Sequence, residues 1–263
     1  MDTQLKPAKP VKKPPKHQPP GRDPAEEAAM MGFLDHLAEL RDRLIRALLG
    51  LAVTTGLSLA FAGFILEYLT TPFGERLQTL GPTEGVVTYF RVALLSGAII
   101  GSPWVTWQLW RFIAPGLTRK ERRVVRWSLL PTTVLFLLGV AFAWFILMPA
   151  ALRFLSEFQS DIFEVGWTAD QYVAFVTSLL FWIGLSFEMP LIFYLLSRMG
   201  LVGPGALRRN WRVAVVGAAV LAALITPTID PFNMMLVMGP LLALYALSIV
   251  LSGIAYRQGG FDN

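Results

Sequence analysis

The run YVAFVTSLLFWIGLSFEMPLIFYLL, Tyr172 to Leu196, holds a single charged residue, Glu188. About 20 consecutive apolar residues are enough for a helix to cross a ~30 Å hydrocarbon core, and this run exceeds that length. Similar runs lie on both sides of it, at Leu44–Leu66, Val86–Ile113, Val125–Met148, Val213–Thr226 and Phe232–Tyr256. Together they predict an all-α polytopic membrane protein with six transmembrane helices. The run Val213–Thr226 is the short one: about fourteen residues reach only ~21 Å, so either the bilayer thins there or neighbouring helices cover its end.

Composition agrees. Of 263 residues, 54% are hydrophobic and 16% charged, against about 25% charged in an ordinary soluble domain. A soluble enzyme is excluded on that ground. The chain has no cysteine and two histidines, His17 and His36. Thiolate metal sites, disulfides and multi-histidine metal centres are therefore closed to it, and no metal or other cofactor is expected.

The scarce charges are sorted. Arg41, Arg43 and Arg46 precede the first run, while Arg119, Lys120, Arg122, Arg123 and Arg126 lie between the second and third. Arg198, Arg208, Arg209 and Arg212 lie between the fourth and fifth, and Arg257 follows the sixth. The alternate connections hold Glu67, Glu75, Glu84, Glu157, Asp161, Glu164, Asp170 and Asp230 against Arg76 and Arg153. Lys and Arg are retained on the cytoplasmic side of short loops, so both termini are expected in the cytoplasm. The net charge of +5 is then the sum of two opposite faces, and no nucleic-acid partner is needed to explain it.

Residues 1–31 read as a separate segment, with Lys6, Lys9, Lys12, Lys13 and Lys16 among Pro7, Pro10, Pro14, Pro15, Pro19 and Pro20. Repelling charges and missing backbone donors predict a disordered basic cytoplasmic tail. It has no apolar core of the kind a signal peptide carries. The transmembrane domain is expected over 32–257 and a short cytoplasmic tail over 258–263. Pro103, Pro131, Pro190 and Pro240 fall inside apolar runs and predict kinked helices that enclose a concave bundle.

Several polar residues stand out. Glu188 lies ten positions before Arg198, or ~15 Å along a helix, near the bilayer midplane. A carboxylate there costs roughly 2.5–3.5 kcal/mol, so it serves either as a polar group in a membrane-embedded site or as a hydrogen-bond partner of a neighbouring helix. Before the first run, Phe33, Leu37, Leu40 and Leu44 share one helical face, with Asp35, Glu39, Asp42 and Arg43 opposite. That pattern predicts a helix lying in the interface. There Glu39 either pairs with Arg43 one turn on or meets a ligand. Glu121 is the one acid among Arg119, Lys120, Arg122 and Arg123, in a loop that is either simply solvated or a docking point for guanidinium groups. At Thr226-Pro-Thr-Ile-Asp-Pro-Phe-Asn233 a tight hairpin joins the last two runs. Its polar residues either cap the turn or meet a partner's helix.

Four stretches, Phe33-Leu-Asp-His-Leu-Ala-Glu-Leu-Arg41, Phe112-Ile-Ala-Pro-Gly-Leu-Thr-Arg-Lys-Glu-Arg-Arg123, Ser186-Phe-Glu-Met-Pro190 and Thr226-Pro-Thr-Ile-Asp-Pro-Phe232, resemble TatC, the multi-spanning receptor family of the twin-arginine protein translocase. The resemblance runs from Gly32 to Arg257. It implies a bacterial inner-membrane protein that binds the twin-arginine signal peptides of folded precursors and works with TatA, TatB, other TatC copies and membrane lipid, driven by the proton-motive force. By the same resemblance Glu39, Glu121, Arg41 and Phe112 bind the signal peptide, and Glu188 is the acid of the intramembrane cavity. Pro72 and Asp230 match periplasmic loop positions, and Thr226 and Asn233 match contacts to partner helices. Paired carboxylates suit this substrate because each guanidinium is best met by parallel hydrogen bonds. No G-x-x-x-x-G-K-[ST] loop is present, so no ATP site is expected. The competing reading is a small-solute or ion transporter with Glu188 as coupling carboxylate. A serine hydrolase is disfavoured because no histidine lies within a span to serve as base.

Overall fold

The computed structural model describes residues 24–73, 77–114, 119–157, 166–226 and 230–258, without the side chains of 24–35, 73, 119–121 and 123–126. Contacts divide the chain into two units, Met1–Arg41 and Asp42–Asn263. The described residues are helical throughout, apart from turns and one isolated bridge between Gln78 and Thr168. In order the helices are α1 (Pro24–Leu59), α2 (Ala62–Thr70), α3 (Glu84–Ile113), α4 (Arg119–Phe142), α5 (Met148–Glu157), α6 (Ala169–Ser186), α7 (Met189–Arg198), α8 (Pro204–Arg209), α9 (Trp211–Ile225) and α10 (Pro231–Gln258). Most of the expected tail lies outside the described residues. Helix α1 begins within it at Pro24, where proline followed by Ala and Glu suits a first turn.

Four stretches are long and apolar enough to cross a membrane: Glu84–Ile113, Trp127–Glu157, Ala169–Arg198 and Pro231–Gln258. The pair His36–Leu59 and Ala62–Thr70 forms a fifth candidate, bent by 75°. Trp211–Ile225 is the short apolar helix foreseen between the basic loop and the hairpin.

The expected unbroken run Leu44–Leu66 is therefore corrected to two helices, and no proline causes the bend. Two shortened bonds close α1, from Ala60 N–H to the Leu57 carbonyl and from Phe61 N–H to that of Ser58. The Tyr89 hydroxyl on α3 donates to the Leu59 carbonyl at 2.6 Å, meeting an acceptor that the helix end leaves open. The same device recurs. Tyr172 on α6 donates to Leu69 at the end of α2, and Tyr245 on α10 donates to Leu207 at the end of α8. Away from water, an unmet carbonyl costs several kcal/mol, so a hydroxyl from a neighbouring helix stands in for solvent.

At one of the four prolines the helix is interrupted outright. Pro190 sits at the start of α7, and its missing N–H leaves the ladder broken between α6 and α7 at Phe187 and Glu188. Helices α3, α4 and α10 continue through Pro103, Pro131 and Pro240. In α3 the Ser102 hydroxyl donates at 2.9 Å to the Ile99 carbonyl, the acceptor that Pro103 cannot serve. A turn of π-helix, Ala143–Leu147, links α4 to α5 and carries the third apolar run on past Met148 to Glu157.

Helix α6 is the centre of the second unit: Tyr172, Val173, Phe175, Val176, Leu179, Leu180 and Ile183 are all buried. It meets α3, α4, α9 and α10, while α7 packs chiefly on α10. Close approaches rest on small residues. A Cβ built on Gly97 would lie 2.6 Å from the Thr55 Cα of α1, and one on Gly139 would lie 2.8 Å from the Gly184 Cα of α6. Large side chains point outward instead, among them Leu48, Val53 and Leu57 on α1 and Val213, Val216, Val220 and Leu224 on α9. An apolar exterior, with small residues where helix backbones approach most closely, is the pattern of helices packed in lipid.

Candidate functional site

Apart from Glu188, most charges of the second unit fall into the two groups sorted in the sequence, a basic end and an acidic end. At the basic end, α3 and α4 flank the residues 115–118. The Arg122 Nε donates to the Ala114 carbonyl at 3.2 Å, which ties the start of α4 to the end of α3. Phe112 is half-buried beside this junction. Glu121 lies in the first turn of α4, and its side chain falls outside the described residues. Glu39, half-buried, and Arg41, exposed, lie on α1 in the first unit, within the stretch expected as an interfacial helix. Two buried groups near the end of α3 went unnoticed in the sequence: Gln108 Oε1 and Trp110 Nε1 have no hydrogen-bond partner among the described residues.

Glu188 occupies the break between α6 and α7. Its carbonyl starts α7 by accepting from Leu191 and Ile192, and its carboxylate makes no capping bond. It is half-buried, and among the described residues the carboxylate has no hydrogen-bond or ion-pair partner. Of the two sequence readings, the bond to a neighbouring helix is absent here. The ring of the preceding Phe187 lies 5.4 Å from that of Phe142 on α4, so the break is held by packing.

At the acidic end, Asp230 caps α10. Its Oδ1 accepts from Asn233 N–H at 2.7 Å and its Oδ2 from Asn233 Nδ2 at 2.9 Å, with Pro231 at the first helical position. The structure thus brings Asp230 and Asn233 together and favours the capped-turn reading of the hairpin. Asn233 is fully buried, and its Oδ1 is left without a partner among the described residues. Thr226 is buried at the end of α9 and donates to the Ala222 carbonyl. Pro72 is exposed in a 3₁₀ turn, Thr71–Phe73, after α2.

A second cluster at this end was missed in the sequence. The Glu84 carboxylate accepts from the backbone N–H groups of Leu80, Gly81 and Asp170 at 2.7, 3.2 and 2.8 Å. Arg91 Nη1 pairs with Asp170 Oδ1 at 2.8 Å, and backbone bonds join Gln78 to Trp167 and Ala169. These bonds clasp the loop before α3 to the start of α6. Arg91 was findable, since it is a charge inside the apolar run Val86–Ile113 just as Glu188 is in its own.

A family model described as "Sec-independent protein translocase protein (TatC)" matches residues 35–240. The chain is 38% identical over 229 residues to the chloroplastic Sec-independent protein translocase protein TATC of Oryza sativa subsp. japonica, covering 86% of this chain and 64% of that one. It therefore spans about two thirds of that relative's length. To the Sec-independent protein translocase protein TatC of Deinococcus radiodurans it is 36% identical over 250 residues, 92% of this chain and 93% of the other. Among solved structures, the crystal structure of the twin arginine translocase receptor TatC superposes with a TM-score of 0.78 at 37% identity, covering 84% of this chain and all of that one.

Proposed function

We infer the role of this chain from its family: it belongs to the TatC family of Sec-independent protein translocase proteins and is a multi-pass membrane protein with that family's helical fold. We propose that it is the receptor of a twin-arginine translocase in a bacterial inner membrane. Six spans, the first bent and the fifth short, then leave both termini and the basic end in the cytoplasm. The observation that carries this reading is the family match over residues 35–240, which contains both Glu39 and Glu121.

In this reading Glu39 and Glu121 each accept hydrogen bonds from a signal-peptide guanidinium, a geometry that lysine reproduces poorly. Arg41 and Phe112 complete the recognition surface. The apolar part of the signal then moves along the bundle toward Glu188, which has no described protein partner to give up. The helices of TatA and TatB dock beside the ends of α9 and α10, where the buried Thr226 and Asn233 hold those ends in shape, Pro72 and Asp230 shape the periplasmic loops, and the proton-motive force supplies the energy. The domain is 32–257 between two cytoplasmic tails, 1–31 and 258–263.

The test pairs two readouts: export of a twin-arginine reporter, and photo-cross-linking of a signal peptide to a probe beside Glu121. Glu39→Gln with Glu121→Gln is expected to abolish both while leaving the protein in the membrane. Unchanged export in that double variant would remove the acid pair from the mechanism.

A further inference from the structure

The start of α9 concentrates positive charge that no described residue receives. Arg208 and Arg209 end α8, Asn210 makes the turn, and Trp211 and Arg212 begin α9. All five are exposed. Among the described residues none of the three guanidiniums has a hydrogen-bond or ion-pair partner. Arg212 lies over the Trp211 ring, 5.8 Å from its centroid. Arg198, nearby in sequence, shows the contrast, since it donates to Gln258 and to Tyr194.

Helix α9 also says where this cluster sits. Its 15 residues rise only ~22 Å, short of a ~30 Å core. Val213 is 71% exposed and lies one residue beyond Arg212, on the outward face that continues through Val216, Val220 and Leu224. To keep that face in hydrocarbon, the arginines must lie in the adjoining headgroup layer. Trp211, and Trp127 near the start of α4, are exposed at the same end, and indole rings favour that layer. The groups at that depth able to receive three guanidiniums are phosphates, which guanidinium binds through paired hydrogen bonds.

We propose that Arg208, Arg209 and Arg212 form a binding site for anionic phospholipid that draws the short helix α9 to the membrane surface. The site is separate from the signal-binding acids and rests only on the membrane placement given above.

The full chain, reconstituted in nanodiscs of phosphatidylcholine and phosphatidylglycerol mixed equally, is extracted in mild detergent, and the lipid that stays bound is quantified. The wild type is expected to retain phosphatidylglycerol in preference. Each guanidinium near the surface contributes about fivefold in binding, so Arg208→Gln/Arg209→Gln/Arg212→Gln should lower the preference by at least about tenfold. Arg153→Gln, an exposed arginine at the acidic end, should leave it unchanged. The lysine triple variant keeps charge and orientation if the glutamine variant fails to fold, and it should lose part of the preference because ammonium binds phosphate as a point charge. Undiminished preference in either triple variant overturns the proposal. So does an equal loss in Arg153→Gln, or displacement of the lipid by inorganic phosphate, which would make the site one for the free ion. None of these results changes what signal cross-linking beside Glu121 reports.

Discussion

Tyr172 does two things with one side chain: its ring fills the buried start of α6, and its hydroxyl meets the Leu69 carbonyl at 2.8 Å. Phenylalanine keeps the first and deletes the second. Leaving a buried acceptor unmet costs about 1–3 kcal/mol, so Tyr172→Phe is expected to lower the thermal midpoint of the purified protein in detergent. A midpoint equal to wild type would show that the α2 carbonyl finds another donor. At this scale the sequence was legible where a residue broke its surroundings. Glu188 was visible as an acid in an apolar run. Glu84 and Asp170 were counted only as loop acids, because a carboxylate that gathers backbone N–H groups has no signature in composition. The tyrosines were invisible for the same reason, since their acceptors are helix ends whose positions the sequence does not state.

At the scale of the element, helix contacts depend on glycine where a neighbour closes on the backbone and not where space is open. Gly97→Ala puts a methyl group against the backbone of Thr55, so α1 and α3 must separate, at a cost of about 1–3 kcal/mol. Gly56→Ala, on α1 with open space around it, is the contrast and should be neutral or stabilising by about 0.5–1 kcal/mol. Chemical denaturation of the two variants side by side checks the pair, and equal effects would refute the close crossing. Helix existence and the limits of the second run were plain from hydropathy. The breaks were not. Proline marked the one at Glu188, whereas the 75° turn after α1 arises at Ala60 and Phe61, which carry no breaker chemistry. What meets the helix end there is tertiary, a hydroxyl from α3.

For the whole molecule, the sorting of charge makes a claim about sides that labelling can decide. The chain has no cysteine, so single-cysteine variants need no prior substitution. Leu80→Cys, at the acidic end, should react with a membrane-impermeant maleimide in intact spheroplasts, and Gly205→Cys, at the basic end, only after permeabilisation. The reverse pattern would invert the proposed topology. Charge bias reveals sides because short loops are read one by one. It reveals nothing of which helix lies at the centre, and α6 holds that place through burial that no single loop records.

The need to meet helix carbonyls also makes the effects of two neighbouring substitutions depend on each other. At Ser102 and Pro103 the hydroxyl supplies what the ring takes away. With Pro103 in place, Ser102→Ala leaves the Ile99 carbonyl without that donor; with Pro103→Ala, the backbone N–H of residue 103 serves it and the serine becomes dispensable. The two positions are therefore coupled, and the serine matters only while the proline is there.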